Sequence, residues 1–422
     1  MRMLKCLLAL LTVCDVRAQP AHPEIWYGRP DRPAIVSPDV FPIIGWGGAP
    51  TDARLLDTMR EAGFNIAGFA PLADVPHVKA AGLRCFVTDR RAEGYDWNHL
   101  PPDEVIRKNL TSLAQEGGSD PAVLGFLLCD EPNASQIPGI AHVKQILHEV
   151  MPGKIGYVSV LPYIVKPEEH GAPSYEAYVR MVVDVLHEPF LSYDNYSLVE
   201  GRMRPQFYNN LEIIRRISLD TGTPFWNCVL ANAHFNYMDP TDATLHLQVY
   251  STLAYGGRGI QLFTYLAYPD ANFRLAPIDQ FGNKTPTWGM TQRINYELNV
   301  LAPTLAKLRS TGVYHAPDAP EYGQPLSKSG LVKAVHTEQQ EIVEHPATAH
   351  FLVGEFRDEQ NRPYLMAVNK SLTESFRFDV ALAGGGELRC ISPYSGKEQV
   401  RGVDWLAPGA GRLCRVDSRP VP

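Results

Sequence analysis

The sequence predicts an α/β protein, a (β/α)8 TIM barrel followed by a small C-terminal antiparallel β-sandwich. Three observations predict it. Eight short apolar runs alternate with amphipathic helical stretches as far as about Leu308. The runs are apolar almost throughout, as parallel strands covered by helices require. From about Gly312 the pattern changes to short, alternating runs separated by turn residues, which read as antiparallel strands.

The eight strands are read at 41–46 (FPIIGW), 64–70 (FNIAGFA), 83–89 (LRCFVTD), 123–132 (VLGFLLCDEP), 154–162 (KIGYVSVLP), 189–196 (PFLSYDNY), 223–234 (TPFWNCVLANAH) and 258–265 (RGIQLFTY). Between them, "DARLLDTMREAG" sets Leu55, Leu56, Met59 and Ala62 at helical spacing and stops at Gly63. "IAHVKQILHEVMPG" ends at Pro152 and Gly153, and "MDPTDATLHLQVYSTLAYGG" opens on Asp-Pro and ends at Gly256. "TQRINYELNVLAPTLAKL" closes the barrel, giving a catalytic domain over 19–311. In the sandwich, 312–422, "FRDEQNRPYLMAVN" reads as two strands around a polar turn, and "LAGGGE" and "APGAGR" as further turns.

Residues 1–18 read as a signal peptide: the basic "MRMLK", the apolar "CLLALLTVC", and a small-x-small cleavage site at Val16, Arg17 and Ala18. The expectation is an exported protein, periplasmic or secreted. No later segment approaches the roughly 20 apolar residues of a membrane span. Of seven cysteines, Cys6 and Cys14 leave with the signal; Cys85, Cys129 and Cys228 lie in apolar runs where buried free thiols are common, while Cys390 and Cys414 are candidates to pair. No C-x-x-C or H-x-x-x-H spacing occurs, so no metal site or cofactor is expected. A net charge of −7 without a basic stripe argues against a nucleic-acid partner.

Barrel enzymes build their sites at the C-terminal ends of the strands. Those ends offer Trp46, then Asp74, then Asp89 and Arg90, then Asp130 and Glu131, then Tyr163, then Tyr193, Asp194 and Tyr196, then Trp226, Asn227 and His234, then Tyr265 and Tyr268. Acids set among aromatics suit sugars. A pyranose presents apolar C–H faces to rings and hydroxyls to polar groups, and glycosidic cleavage needs one carboxyl to protonate the leaving oxygen and a second to attack or to activate water. Glu131 and Asp194 are therefore the candidate catalytic pair, with Asp130, Asp89, Trp46, Tyr193, Trp226, Asn227, His234 and Tyr265 as candidate substrate-binding residues. Adjacent strand residues face opposite ways, so Asp130 and Glu131 serve together only if the chain bends between them, and Pro132 fits such an exit. A bland role competes in each case: Asp89 as a helix cap, Trp226 and Tyr265 as barrel core, His234 as surface.

"VLGFLLCDEP", "LSYDNYSL" and "LAYGGRGIQLFTY", in that order, resemble clan A glycoside hydrolases, and most of all family 42 β-galactosidase-like proteins and their uncharacterised bacterial relatives. The resemblance implies a (β/α)8 catalytic domain with Glu131 as general acid/base, a strand-end aromatic after strand 8, and an accessory β-domain. Two positions depart from the pattern. Asp130 stands where the clan usually has Asn, and "PFWNCVLANAHFNYMDPTDATL" holds no Glu where the clan carries its strand-7 nucleophile.

The expected activity is hydrolysis of glycosidic bonds in oligo- or polysaccharides by a carboxylic acid pair at the barrel mouth. Two alternatives compete: substrate-assisted hydrolysis of N-acetylated sugars, in which Asp130 orients an acetamido group beside the acid Glu131, and a carbohydrate-binding barrel without catalysis. Because strand 5 intervenes between strands 4 and 6, the Glu131–Asp194 gap is expected to be wide, which favours inversion.

Overall fold

A computed structural model describes residues 41–338, 348–400 and 403–417. The signal segment expected at 1–18 lies outside them. Eight parallel strands close into a barrel: β1 (Ile43–Trp46), β2 (Ile66–Pro71), β3 (Arg84–Thr88), β4 (Val123–Asp130), β5 (Ile155–Val160), β6 (Leu191–Asp194), β7 (Phe225–Leu230) and β8 (Gly259–Phe263). The order is sequential, and β1 pairs with both β2 and β8. All eight expected strands are present, most of them shorter than expected, while β2 runs one residue further, to Pro71.

Helices cover the barrel, and local chemistry sets their starts. Asp52 accepts from the Arg54 amide at the head of helix Ala53–Glu61, Ser174 from Ala177 ahead of Tyr175–Leu186, and Thr241 from Thr244 ahead of Asp242–Ala254. The last barrel helix, Pro286–Leu305, ends just short of the expected boundary. Among the described residues no helix is long and apolar enough to cross a membrane.

Strand Arg309–Ala316 then begins the C-terminal region, which holds a seven-stranded, largely antiparallel sheet and a three-stranded antiparallel one. Strands Phe351–Arg357 and Pro363–Asn369 flank the polar turn as expected. Phe351 and Val353 of the larger sheet and Phe376 and Phe378 of the smaller share one apolar cluster. On its other face the larger sheet gives Leu352, Met366, Val368 and Leu413 to the barrel's own core. Cys390 and Cys414, directly opposite on neighbouring strands, form a disulfide.

The barrel interior is layered. At its lower end Trp226 stacks on Phe190 with ring centroids 3.6 Å apart, within a cluster that includes Ile44, Ile66, Phe86 and Ile155. A side chain on Gly259 would run into the Trp226 indole, so the missing Cβ makes room for that ring. Above it lies a polar plane. Tyr157 Oη accepts from Trp46 Nε1 (3.1 Å), donates to Gln261 Oε1 (2.5 Å) and meets Ser192 Oγ (2.7 Å), to which Gln261 Nε2 also donates (2.8 Å).

Candidate active site

Parallel strands bring the exits of β4, β6, β7 and β8 to one end of the barrel, joining residues far apart in sequence. The strand-4 acids straddle a bend. Glu131 has φ +52°, the left-handed region that residues with a Cβ rarely enter. Its amide still donates to the Ser159 carbonyl of β5 at 2.8 Å, and the next carbonyl, of Pro132, accepts from Tyr178 Oη at 2.6 Å. This turn breaks the strand alternation that would otherwise send adjacent side chains apart. Both carboxyls consequently act on one neighbour, Asp194.

Asp194 ends β6 and is only 6% exposed. Burial pushes its carboxyl well above the usual range, the charges of Asp130 and Glu131 push further, and hydrogen bonds from the Tyr196 and Cys228 side chains pull back. Its Oδ1 has no hydrogen-bond partner among the described residues. Cys228 lies level with Asp194 in the β6–β7 register, with its sulfur 3.4 Å from Tyr196 Oη. Asp130 and Glu131 are exposed as whole residues, yet the protein around each carboxyl excludes enough water to raise it. Asp130 is pushed up to about 7, first by desolvation and then by the charge of Glu131. Strand 5 does lie between β4 and β6.

An aromatic wall stands beside the three acids. Phe263, at the end of β8, has Tyr196 at 5.3 Å, His234 at 5.4 Å, Trp46 at 5.6 Å and Tyr268 at 6.2 Å between ring centroids. His234 stacks on Phe273 at 4.8 Å and 4°, its Nδ1 meets Asn232 Oδ1 at 3.0 Å, and burial with the nearby Arg274 charge lowers it to about 4, so it is neutral at physiological pH. Tyr237 senses Asp194 and Glu131, and Tyr268 senses Asp130.

The structure thus brings Glu131, Asp194, Asp130, Trp46 and His234 together at one end of the barrel. Five other expected residues are engaged elsewhere. Trp226 is the second residue of its strand rather than near its end, opposite the first residue of β8, and forms the barrel floor. Asn227 points out of the barrel, its Nδ2 donating to Thr252 Oγ1 at 2.7 Å on the covering helix. Tyr193, adjacent to Asp194, faces the outer core by strand alternation and approaches Phe225. Tyr265 is buried against Phe64 beneath the helices. Asp89 caps helix Arg90–Glu93 and pairs with Arg91 at 2.9 Å, which holds its carboxyl below the usual range. Tyr196, Cys228, Tyr237 and Phe263 complete the site but were not among the expected substrate-binding residues. Two-residue spacing from Asp194 was the available signal for Tyr196.

No protein-family model and no curated protein matches the chain. Solved structures do match. A glycoside hydrolase family 5 protein from Bacteroides vulgatus superposes with TM-score 0.55 at 10% identity, over 90% of this chain and 89% of that one. A protein described as a glycoside hydrolase gives 0.54 at 11% identity over 90% and 93%. The fold is similar to that of solved glycoside hydrolases. A β-galactosidase from the psychrophilic Marinomonas ef1 gives 0.50 at 11% identity over 64% of this chain, and the match spans 62% of the galactosidase, less than two thirds of its length. At such identities the likeness is one of fold.

Proposed function

We propose that this protein is an exported glycoside hydrolase acting on oligo- or polysaccharides, related to the family 42 β-galactosidase-like branch of clan A, with its C-terminal sheets serving as an accessory sandwich. One observation carries the reading: Asp130, Glu131 and Asp194, from two non-adjacent strands, are electrostatically coupled at the mouth of a parallel barrel beside an aromatic wall. Three crowded carboxyls do not all ionise together, so the cluster keeps a proton at neutral pH and supplies both an acid and a base.

Glu131 is the donor. It gives its proton to the glycosidic oxygen as the C–O bond breaks, a water attacks the anomeric carbon from the opposite face, and Asp194 takes the water's proton. A proton on Glu131 removes one of the charges that oppose ionisation of Asp194, leaving burial as the main force that a base at this position works against. The intervening strand favours the wider spacing of inverting enzymes, about 6.5–9.5 Å. Proton NMR of the first-formed sugar is expected to give the inverted anomer; a retained configuration overturns the assignment of Asp194 as base.

A second reading rests on the burial of Asp194. If that carboxyl stays neutral, Asp130 and Glu131 at the same strand exit suit assistance by a substrate acetamido group. Turnover confined to N-acetylated aryl glycosides would select it, and binding of a glycan without any turnover would select a sugar-binding barrel instead.

A further inference from the structure

Away from the barrel mouth, a cleft of about 400 Å³ opens where helices Asp242–Ala254 and Pro286–Leu305 meet the C-terminal sheets. Its floor is a polar network. Glu297, nearly buried, accepts from Tyr250 Oη at 2.7 Å and meets His246 Nε2 at 3.5 Å. Arg412, which also lines the cleft, carries a buried Nε with no hydrogen-bond partner among the described residues. Two partly exposed aromatic residues also line it, Trp405 at 42% exposure and Tyr394 at 63%, the latter with its hydroxyl hydrogen-bonded to Glu297.

Strand alternation explains why Trp405 is outside: Leu406 next to it enters the apolar cluster between the sheets, which sends the indole to the opposite face. The wall is fixed against the barrel. Gly409, at φ +73°, lies so close to helix Asp242–Ala254 that a Cβ would strike the Ala243 carbonyl, and Gly411 lies against the Tyr250 ring. The Glu297 network accounts for the contact between the two helices. It does not account for the exposed Trp405 indole or for the Arg412 nitrogen left without a partner.

We propose that this cleft is a second carbohydrate-binding site, separate from the barrel mouth, in which the Trp405 and Tyr394 rings stack on pyranose C–H faces and the charged floor takes sugar hydroxyls. The size suits a small bound segment, since ligand pockets run from about 300 to 1,000 Å³. The site holds a polysaccharide chain beside the barrel rather than cleaving it. It rests on the proposed hydrolase only for the class of ligand.

Affinity electrophoresis tests it, in gels cast with galactomannan, mixed-linkage β-glucan or carboxymethylcellulose. The Glu131→Gln protein is used so that the matrix survives. At least one gel is expected to retard it, and adding Trp405→Ala is expected to weaken binding at least tenfold, whereas Trp405→Tyr restores most of it. Thermal melting of Trp405→Ala confirms that the fold persists. Equal retardation with and without Trp405, or no retardation in any of the three gels, overturns the proposal. Turnover of soluble aryl glycosides by the Trp405→Ala single variant should be unchanged. Retardation that needs Trp405, in a wild-type protein without turnover, would leave this site standing and defeat the hydrolase reading instead.

Discussion

The upper and lower ends of the barrel are made from the same eight strands and obey opposite rules. Below the Tyr157 plane the interior is apolar and stacked: Trp226 on Phe190, with Ile44, Ile66 and Phe86 around them. Above it the charges of Asp130 and Glu131 bear on the buried Asp194, and Glu131 itself sits on a left-handed backbone. Packing like that of the floor stabilises a fold. Burying charge and holding a residue at positive φ both act against it, and they persist only where the surrounding structure holds them. The contrast shows how one scaffold carries both: the lower layer supplies stability that the upper layer then spends on reactivity.

Four experiments break or sharpen that contrast. The largest effect is expected from Glu131→Gln, which preserves shape but removes the proton donor. Turnover of an unactivated glycoside should fall on the order of 10²–10⁴-fold, about 3–5 kcal/mol of transition-state stabilisation, while the melting temperature hardly moves. Near-normal turnover would sink the role given to the mouth.

Trp226→Ala should do the reverse. Loss of a large buried ring typically costs about 3–5 kcal/mol of stability, readable by urea titration. The turnover number measured well below the melting temperature should stay close to wild type. A large drop in turnover with stability intact would mean that the floor takes part in the chemistry after all.

The plane between the layers is the third target. Tyr157→Phe removes the hydroxyl that joins Trp46, Ser192 and Gln261 and strands Trp46 Nε1 and Gln261 Oε1. A stability loss of about 1–3 kcal/mol is expected from denaturant titration. No measurable loss would indicate that the plane rearranges freely and does not separate the layers.

The last effect is a pH dependence. The Asp130 carboxyl sits at about 7 in the folded chain, above the roughly 3.9 of an unfolded one. Between these values the folded state keeps a proton that the unfolded state has lost. Its favourable contribution is therefore complete below about pH 4 and is lost as pH rises through about 7. Asp130→Asn should flatten the stability profile over that window, measured by chemical denaturation at stepped pH. An unchanged slope would mean that Asp130 is not desolvated by the mouth.

Much of this molecule follows from the sequence alone. Eight apolar runs separated by capped, amphipathic stretches dictate a closed parallel barrel, because strands apolar on both faces need covering on both. The acids at 130 and 131 mark the exit of β4, and Pro132 hints at the bend. The alternating tail gives antiparallel strands, and the oxidisable pair Cys390–Cys414 is legible from placement. Those readings rest on local periodicity and on covalent geometry, which nearby residues fix. Only the tertiary structure decided which side chains look into the barrel and at what height. A strand apolar on both faces carries no mark of its phase, so Trp226, Asn227 and Cys228 are equally plausible lumen residues until the register of β7 against β6 and β8 is known. That register sinks Trp226 to the floor, turns Asn227 outward and sets Cys228 level with Asp194. The same is true of the cleft under Trp405, where Tyr250, Glu297 and Arg412 come from two helices and a sheet. No local pattern encodes their meeting, because it depends on how the C-terminal sheets seat against the barrel.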